Sequence, residues 1–509
     1  MNDRPRADWL DWDGCRLRWA VDAAMQSPQM ELCIDGIVFE RSSSTVVQHL
    51  REFACTPSGN ARIEFALRSG GIEIAPPWRV VWGRAAAPSA QQWQGMPSAM
   101  QPLAGAALPP IATPLPPAAV VVPIHNSPRL AQRCIEAVLR WTPRLAKLIL
   151  IDDASTDAGV ATLLADYAGR ANVVIRSNAQ NLGYTRSCNL GIELAGGADV
   201  VLLNSDTEVG PRWLERLCLI AYADAATGTV TAVSDNAGAF SVPELEQYCP
   251  IPSRWTLLQA QRALLQYAGG CRPELPTGNG FCMYVKRVLF DRIGMLDAQA
   301  FPAGYGEEND LCQRAEQAGF RHVIAGDVLV HHERSASFGD ERRRALGAQG
   351  MAVLRARYPD YEAKIEATLF GFARRVLDYR VRRVYADSDG AYAERAPRPR
   401  LLIVADPADS TASFADGLAR FECYALVSTG SGWKLLRCAD AAVLETASAD
   451  EAVFCAWLVR YAIEAVYAAD ANPDLRSAAA RVLVPCVDSI DAPLLENIAG
   501  EVARDGAAS

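Results

Sequence analysis

The middle of this 509-residue chain predicts an α/β fold built on a mixed, mostly parallel sheet. Three observations carry that expectation. From residue 118 onward, continuous apolar runs (AVVVPI, KLILID, NVVIRS, ADVVLLNS) are separated by helical patterns. The runs do not alternate polar with apolar residues, as expected of strands covered on both faces. Polar residues close them: His125 and Asn126, Asp152 and Asp153, Asn204 to Asp206. Ligands of such sheets sit at the carboxyl ends of the strands.

The elements follow in order. Residues 1–84 set short alternating runs (CRLRWAV, MELCIDGIVF, ARIEFALR, WRVVWG) between turn residues, the pattern of a small antiparallel, sandwich-like β domain. Residues 85–117 shift to Ala, Pro, Gln and Met and end in LPPIATPLPP, an extended linker. Residues 118–340 form the central α/β domain, whose first helix is expected to start at Ser127 as cap with Pro128 in its first turn. Leu130, Cys134, Ile135, Val138 and Trp141 share one face of it. Residues 341–396 are Arg-rich and helical, either a basic face for a membrane surface or an exposed face partly neutralised by Asp360, Glu362, Glu366 and Asp378. Residues 397–509 (LLIVADP, a helix through Phe414–Phe421, CYALVST, AAVLET, AIEAVYAAD, ARVLVPCVD) repeat an α/β pattern of Rossmann type without a Gly-rich phosphate loop.

Composition narrows the classes. Half the residues are apolar and 21% charged, a globular balance. A net charge of −9 argues against a dedicated nucleic-acid binder. The 14 cysteines are scattered without a CxxC pair and read as reduced thiols of a cytoplasmic protein. MNDRPRADWLDWDG lacks a signal-peptide pattern, and no stretch reaches the roughly 18 apolar residues of a membrane span. The expectation is a cytoplasmic protein, attached at most to the inner face of a membrane.

Four segments carry chemistry. LLNSDTEV puts Asn204, Ser205 and Asp206 at a strand end, where hard oxygens suit a divalent cation bridging phosphates. Such a strand end is also ordinary turn chemistry. GEENDLCQR puts Glu307 and Glu308 at a helix start and spaces Asp310 and Arg314 for an i,i+4 pair. Capping and pairing explain it structurally; a carboxylate placed to take a proton from an attacking hydroxyl explains it functionally. His125, His331 and His332 fall at strand ends, and imidazole beside a carboxylate ligates Mn²⁺-type ions. No HExxH or Cys/His spacing supports zinc. Thr277, Gly278, Asn279 and Gly280 lead into the buried run FCMYV, as a turn or as backbone that lets a bulky ligand approach.

In this order and spacing, the segments VVVPIHN, LIDDAS, NLGYTRSCN, LLNSDTEV, TGNGFCMYVKR, YGEENDLCQR and HHERSASFG resemble family 2 glycosyltransferases of the GT-A fold, over residues 118–340. The resemblance implies an inverting transfer from a nucleoside diphosphate sugar (UDP-, dTDP- or GDP-) to a hydroxyl of a glycan or lipid-linked glycan, as in bacterial surface-polysaccharide synthesis. It implies a divalent cation, Mn²⁺ or Mg²⁺, on the diphosphate. By the same resemblance Pro123, His125 and Asn126 contact the nucleotide, Asp152 with Asp153 reads base and ribose, and Asn181, Gly183, Arg186 and Asn189 line the nucleotide pocket with Ser205. Asp206 is the expected metal ligand, with Asn204 standing where the family's acidic motif begins with Asp. His332, five residues before Ser337, matches the metal-binding histidine, and His331 is its alternative. Glu308 matches the base, with Glu307 and Asp310 as alternatives, and the 277–280 loop matches the wall between donor sugar and acceptor. The C-terminal α/β region resembles the first half of a GT-B-type transferase. Two other readings are a catalytically silent nucleotide-sugar-binding or scaffolding module and a nucleotidyltransferase; the latter lacks a basic Gly-rich loop near the first strand.

Overall fold

The computed structural model describes residues 116–142, 147–245, 248–268, 271–333, 340–369, 372–386, 397–405, 420–430, 432–468, 473–489 and 493–499, together with the N-terminal strands β1 (Ala7–Trp12), β2 (Arg16–Val21), β3 (Pro28–Ile34), β4 (Ile37–Ser43), β5 (His49–Glu52), β6 (Ala61–Ser69), β7 (Ile72–Glu73) and β8 (Trp78–Trp82). Most of the expected linker 85–117, most of the helix expected through Phe414–Phe421, and Ser337 lie outside the described residues. The chain divides into two compact units, residues 1–106 with 370–395, and residues 107–369 with 396–509.

In the first unit every pairing is antiparallel: β1-β2-β5 form one sheet and β4-β3-β6-β7, with β8 on β6, another. A helix at Phe372–Ala386 lies against β4, where Arg382 donates to the Val38 carbonyl at 3.3 Å. Its Leu377, Val381 and Val384 are buried, so the end of the Arg-rich stretch packs on protein.

The second unit holds the central sheet. Its elements are β9 (Ala118–Ile124), α1 (Pro128–Trp141), β10 (Lys147–Asp152), α2 (Ala158–Tyr167), β11 (Val173–Ser177), α3 (Tyr184–Ala195), β12 (Asp199–Leu203), β13 (Thr207–Glu208), α4 (Trp213–Ala223), β14 (Thr227–Ser234), α5 (Leu257–Tyr267), β15 (Cys282–Val285), α6 (Arg287–Ile293), α7 (Glu307–Gln317), β16 (Arg321–His332), α8 (Asp340–Arg357) and α9 (Tyr361–Leu369). The strand order is β11-β10-β9-β12-β15-β14-β16-β13. Six strands run the same way; β15 and β13 run against them. The four apolar runs that predicted the sheet are β9 to β12, and all of β12, β14 and β15 is buried. Helices α3, α6 and α7 pack Cys188, Ile192, Leu289, Phe290, Leu311 and Ala315 onto Val121, Ile149, Val200, Leu202 and Met283.

Ser127 precedes α1 as expected but does not cap it through its hydroxyl. It is left-handed (φ 56°) and makes no side-chain cap bond, while its carbonyl accepts from Leu130 and Ala131. Leu130 is only half-buried; Ala131 takes its place on the buried face. Helix α4 could not be read from periodicity because Trp213 through Ala221 are all buried, so it has no polar face.

The C-terminal region forms a six-stranded sheet, β20-β19-β18-β17-β21-β22, from β17 (Arg400–Ala405), β18 (Glu422–Thr429), β19 (Gly432–Arg437), β20 (Ala442–Ala447), β21 (Ala465–Tyr467) and β22 (Cys486–Val487). Four strands are parallel, and β18-β19-β20 is an antiparallel meander whose middle strand, GWKLLR, was not foreseen. This sheet is sealed to α4 and α5 by arginines. Arg262 pairs with Glu464 at 3.1 and 3.3 Å and donates to the Ile498 carbonyl at 2.7 Å. Arg212 donates to the carbonyls of Val482 and Leu483, and Arg216 to that of Val459 while pairing with Asp327. Gln266 reaches the Arg398 carbonyl at 2.6 Å. Among the described residues no helix is long and apolar enough to cross a membrane.

Arg262 and Glu464 are each 2% exposed, so deleting one leaves a buried charge without its partner. Glu464→Ala is expected to lower the unfolding free energy by about 3–5 kcal/mol, measured by urea denaturation of the full chain; a loss below about 1 kcal/mol, the range of an exposed pair, would show that the interface does not depend on the bridge.

Candidate functional site

The six parallel strands end at one edge of the sheet, and the polar residues that follow them meet there. After β9, Asn126 and Ser127 are both left-handed (φ 62° and 56°), a costly backbone held in place by the Asn126 side chain. Its Oδ1 accepts from the Thr156 and Asp157 amides at 2.8 and 3.0 Å, and its own amide donates to Ser155 Oγ at 2.9 Å. His125 places Nδ1 3.0 Å from the Asp153 carbonyl.

After β10 the two aspartates differ. Asp152 is half-buried, and its Oδ1 accepts from the Ser155 amide at 3.0 Å. Asp153 is buried; its Oδ1 accepts from Asn178 Nδ2 and the Leu182 amide, both at 2.8 Å, and its Oδ2 from the Gly183 amide at 2.9 Å. Asp153 thus shapes the NLG turn from beneath, and Asp152 is the member nearer solvent. Asn181 stands on that turn, its Nδ2 3.4 Å from His125 Nδ1 and its Oδ1 on the Gly183 amide. Pro123 is half-buried within β9. Arg186, on the first turn of α3, is exposed. Asn189 faces elsewhere: both ends of its amide bind the Leu296 backbone, at 2.8 and 3.2 Å, tying α3 to the loop before α7.

The turn after β12 is closed by Thr207 Oγ1 donating to the Asn204 carbonyl at 2.7 Å. Ser205 and Asp206 stand half-exposed on it. His332, at the end of β16, comes to it: Nε2 lies 3.3 Å from Asp206 Oδ1 and 3.4 Å from Asn204 Nδ2. Its Nδ1 lies 3.0 Å from the Asn236 carbonyl, which can only accept, so Nδ1 carries a proton and Nε2 is the nitrogen turned toward Asp206. A carboxylate oxygen and an imidazole nitrogen at that distance have the spacing of two ligands of one cation, since cis ligands of an ion with bonds of about 2.1 Å stand roughly 3 Å apart. Asp206 and His332 could therefore supply two ligands to a divalent cation. Among the described residues no group of three or more His, Cys, Asp or Glu side chains could hold an ion by itself.

His331 is placed differently. Its Nδ1 is 2.6 Å from Asp235 Oδ2 and its Nε2 3.4 Å from Glu333. The bond to Asp235 raises the ring's pKa above the ordinary histidine value and commits Nδ1 to that carboxylate. Asp235 also accepts from the His332 amide at 3.0 Å, so one buried carboxylate sets both histidines. Asp235 and Asn236 were missed by the sequence reading; TAVSDN ends a β-branched run in polar residues as LLNSDT does, and that signal could have found them.

Beside this turn lies the acidic pair. Helix α7 starts at Glu307 and Glu308. Glu308 is half-buried, and its Oε1 accepts from the Gly280 amide at 2.9 Å. A Cβ on residue 280 would lie 2.6 Å from that oxygen and closer still to Tyr184 Oη, so the glycine admits Glu308 to the loop. Glu307 is buried and caps Gly306 at 2.9 Å; burial first, then the charge of Glu308, hold its carboxyl well above the usual glutamate range. Asp310 is fully buried and accepts from Arg314, Arg357 and Tyr358 at 2.8, 2.7 and 2.9 Å. The loop itself is tied down: Asn309 donates to Thr277 Oγ1 at 2.9 Å, Thr277 Oγ1 to the Gly278 carbonyl at 3.1 Å, and the Phe281 amide to Asn279 Oδ1 at 3.1 Å. Phe281 joins the two halves of the site, since its carbonyl accepts from the Asn204 amide at 3.0 Å and its ring stacks on His332 with centroids 5.5 Å apart.

His322 was also not foreseen. It is buried between Thr229 Oγ1 at 2.8 Å and the Cys312 carbonyl at 3.0 Å, bracing α7 on the sheet; burial pushes its pKa down to about 4 and keeps it neutral.

Comparison with known proteins places this arrangement in context. The chain is 26% identical over 240 residues to polypeptide N-acetylgalactosaminyltransferase 6 of Bos taurus, covering 44% of this chain and 38% of that protein. It is 31% identical over 105 residues to the uncharacterized glycosyltransferase YibD of Escherichia coli strain K12, covering 21% of this chain and 30% of that one. The chain thus spans less than two fifths of the length of these curated relatives. A solved mannosyltransferase of Pyrobaculum calidifontis, in complex with GDP-Man and Mn²⁺, aligns with a TM-score of 0.38 at 17% identity, over 56% of this chain and 77% of that one. Residues 119–293 match the family model described as "Glycosyl transferase family 2". The matched segment carries the edge on which His125, Asp152 and Asp206 meet, so the similarity to that family is confined to the central sheet.

Proposed function

We propose that the protein is a metal-dependent, inverting glycosyltransferase of GT-A type that moves a sugar from a nucleoside diphosphate to a hydroxyl of a glycan or lipid-linked glycan, as in bacterial surface-polysaccharide synthesis. The observation that carries this reading is the junction at Gly280 and Phe281: one residue binds the Glu308 carboxylate, and the next touches both His332 and Asn204. A base and a cation site side by side are what displacement of a diphosphate by a hydroxyl requires.

In this mechanism the nucleotide lies along the edge from His125 to Asn204, with Asp152 facing the base and ribose, and Asn181, Gly183 and Arg186 lining the pocket from the turn beside His125. Asp206 and His332 would hold the divalent ion, which would neutralise the diphosphate as it leaves. Glu308 takes the proton of the acceptor hydroxyl as that oxygen attacks the anomeric carbon from the face opposite the diphosphate, so the configuration inverts. Glu307 keeps its proton and shares it with Glu308, which orients Glu308 without placing a second negative charge beside it. Asp310, saturated by three donors, serves structure. A silent binding module would have no use for a half-exposed carboxylate directed into the loop beside the cation site.

The test is release of nucleoside diphosphate from a panel of UDP-, GDP- and dTDP-sugars, with and without Mn²⁺ or Mg²⁺, for wild type and Asp206→Ala. Metal-dependent release from one donor, lost in the variant, is expected; binding of a donor with no turnover under any condition would leave the silent-module reading instead. Glu308→Gln is expected to lower kcat by about 10²–10⁴-fold with donor affinity kept, and Gly280→Ala to act in the same direction by displacing that carboxylate; a Glu308→Gln enzyme of normal kcat would exclude Glu308 as the base. The proton on Glu307 sets a pH dependence of stability. Its folded pKa is raised, so its contribution is full below the ordinary glutamate value of 4.5 and is lost as pH rises through the folded value. Glu307→Gln, which imitates the neutral acid, is expected to gain stability over wild type as pH rises above 4.5, read from urea midpoints across the pH range; parallel profiles would mean that Glu307 does not hold its proton.

A further inference from the structure

The helices α8 and α9 lie beyond the segment that matches the family model, which ends at residue 293, yet they grip the start of α7 from three sides. Arg357 donates to Asp310 Oδ1 at 2.7 Å and to Asp297 Oδ2 at 2.9 Å, and Tyr358 Oη donates to Asp310 Oδ1 at 2.9 Å. Asn309 binds Tyr361 Oη and, at 2.9 Å, Thr277 Oγ1 of the glycine loop. Asn309 and Asp310 are the two residues that follow Glu308. On the other side of Glu308, Gly304, Tyr305 and Gly306 all have positive φ (89°, 68° and 144°), a conformation that glycine adopts readily but that is costly for Tyr305 between them. Gly350 of α8 is pressed against the Tyr305 carbonyl so closely that a Cβ there would overlap it. Leu354, Tyr358 and Tyr361 pack around Phe301, and Phe301 in turn fills the space beside Gly306.

A turn of this conformation does not hold itself; it persists where its surroundings over-determine it. We propose that the α8–α9 hairpin is a positioning element of the transfer site: by gripping Asn309, Asp310 and the Tyr305 carbonyl it fixes the start of α7, and with it the Glu308 carboxylate against the Gly280 amide. Arg357, Tyr358 and Tyr361 are its positioning residues. They touch no reacting atom and act through the two residues after Glu308. The proposal rests on the reading of Glu308 as the base. It also means that the working transferase extends to residue 369, through part of the Arg-rich stretch that composition alone offers as a membrane-binding surface.

The experiment uses the full chain with Tyr358→Phe, Tyr361→Phe and the double variant, which remove hydroxyls and keep the rings in their apolar cluster. Hydrogen–deuterium exchange over residues 304–312 is compared with exchange over the β9–β12 strands, and kcat is measured beside the affinity for UDP and GDP with Mn²⁺. Faster exchange confined to 304–312 is expected, with kcat for the donor found in the panel lowered about ten- to a hundredfold and nucleotide affinity unchanged. Unchanged exchange at 304–312 overturns the proposal. So does faster exchange there with normal kcat, or a fall in kcat that follows a loss of nucleotide affinity. If wild type turns over no donor, the transferase reading fails separately, and the exchange result alone upholds or overturns the grip on α7.

Discussion

The arrangement of this site depends on strand direction. Six strands of the central sheet run the same way, so the polar residues that follow β9, β10, β12, β14 and β16 are delivered to one edge. Strand β15 runs against them, which brings its preceding loop, Thr277 to Phe281, to that same edge. Without the reversal, the Gly280 amide and the Phe281 ring would lie at the opposite end of the sheet from His332 and Asn204. These two residues link the acidic pair to the proposed cation site.

Around this edge the carboxylates divide into two kinds by what satisfies them. Asp153, Asp235 and Asp310 are buried and accept from amides, amide side chains, imidazole, guanidinium or phenol; each holds a segment in place. Burial of a charged group is tolerated only with such a set of donors. Asp152, Asp206 and Glu308 are half-exposed and face the edge. Glu307 differs from both kinds: burial and the charge of Glu308 hold its carboxyl well above the usual glutamate range. The proposed chemistry is thereby assigned to the carboxylates that reach the edge half-exposed.

The C-terminal sheet has a comparable relation to α4 and α5. Their arginines donate to backbone carbonyls and to Glu464 of the C-terminal region, so the helices are buried on the side where a free-standing domain would meet water. The second α/β region is therefore part of the unit that carries the site, whatever further role it has.

Much of the central unit was legible in the chain itself. Apolar runs of strand length, closed by polar residues, located β9 to β12, because strands covered on both faces leave a continuous hydrophobic signature. The start of α7 and its Asp310–Arg314 pair followed from spacing alone. Less legible were α4, buried all round, and β19, which Gly430 and Ser431 between two strand-like runs could have announced but which was passed over. The sequence by itself determined which short segments are polar strand ends and which helix begins with adjacent carboxylates, since these depend on local periodicity. Only the tertiary structure decided which histidine meets Asp206, that Asp235 governs both, that Asn189 ties down a loop, and that Arg357, Tyr358 and Tyr361 hold the helix of Glu308. Those partners are separated by tens to hundreds of residues along the chain, and a side chain's charge and orientation are set by what packs against it in space.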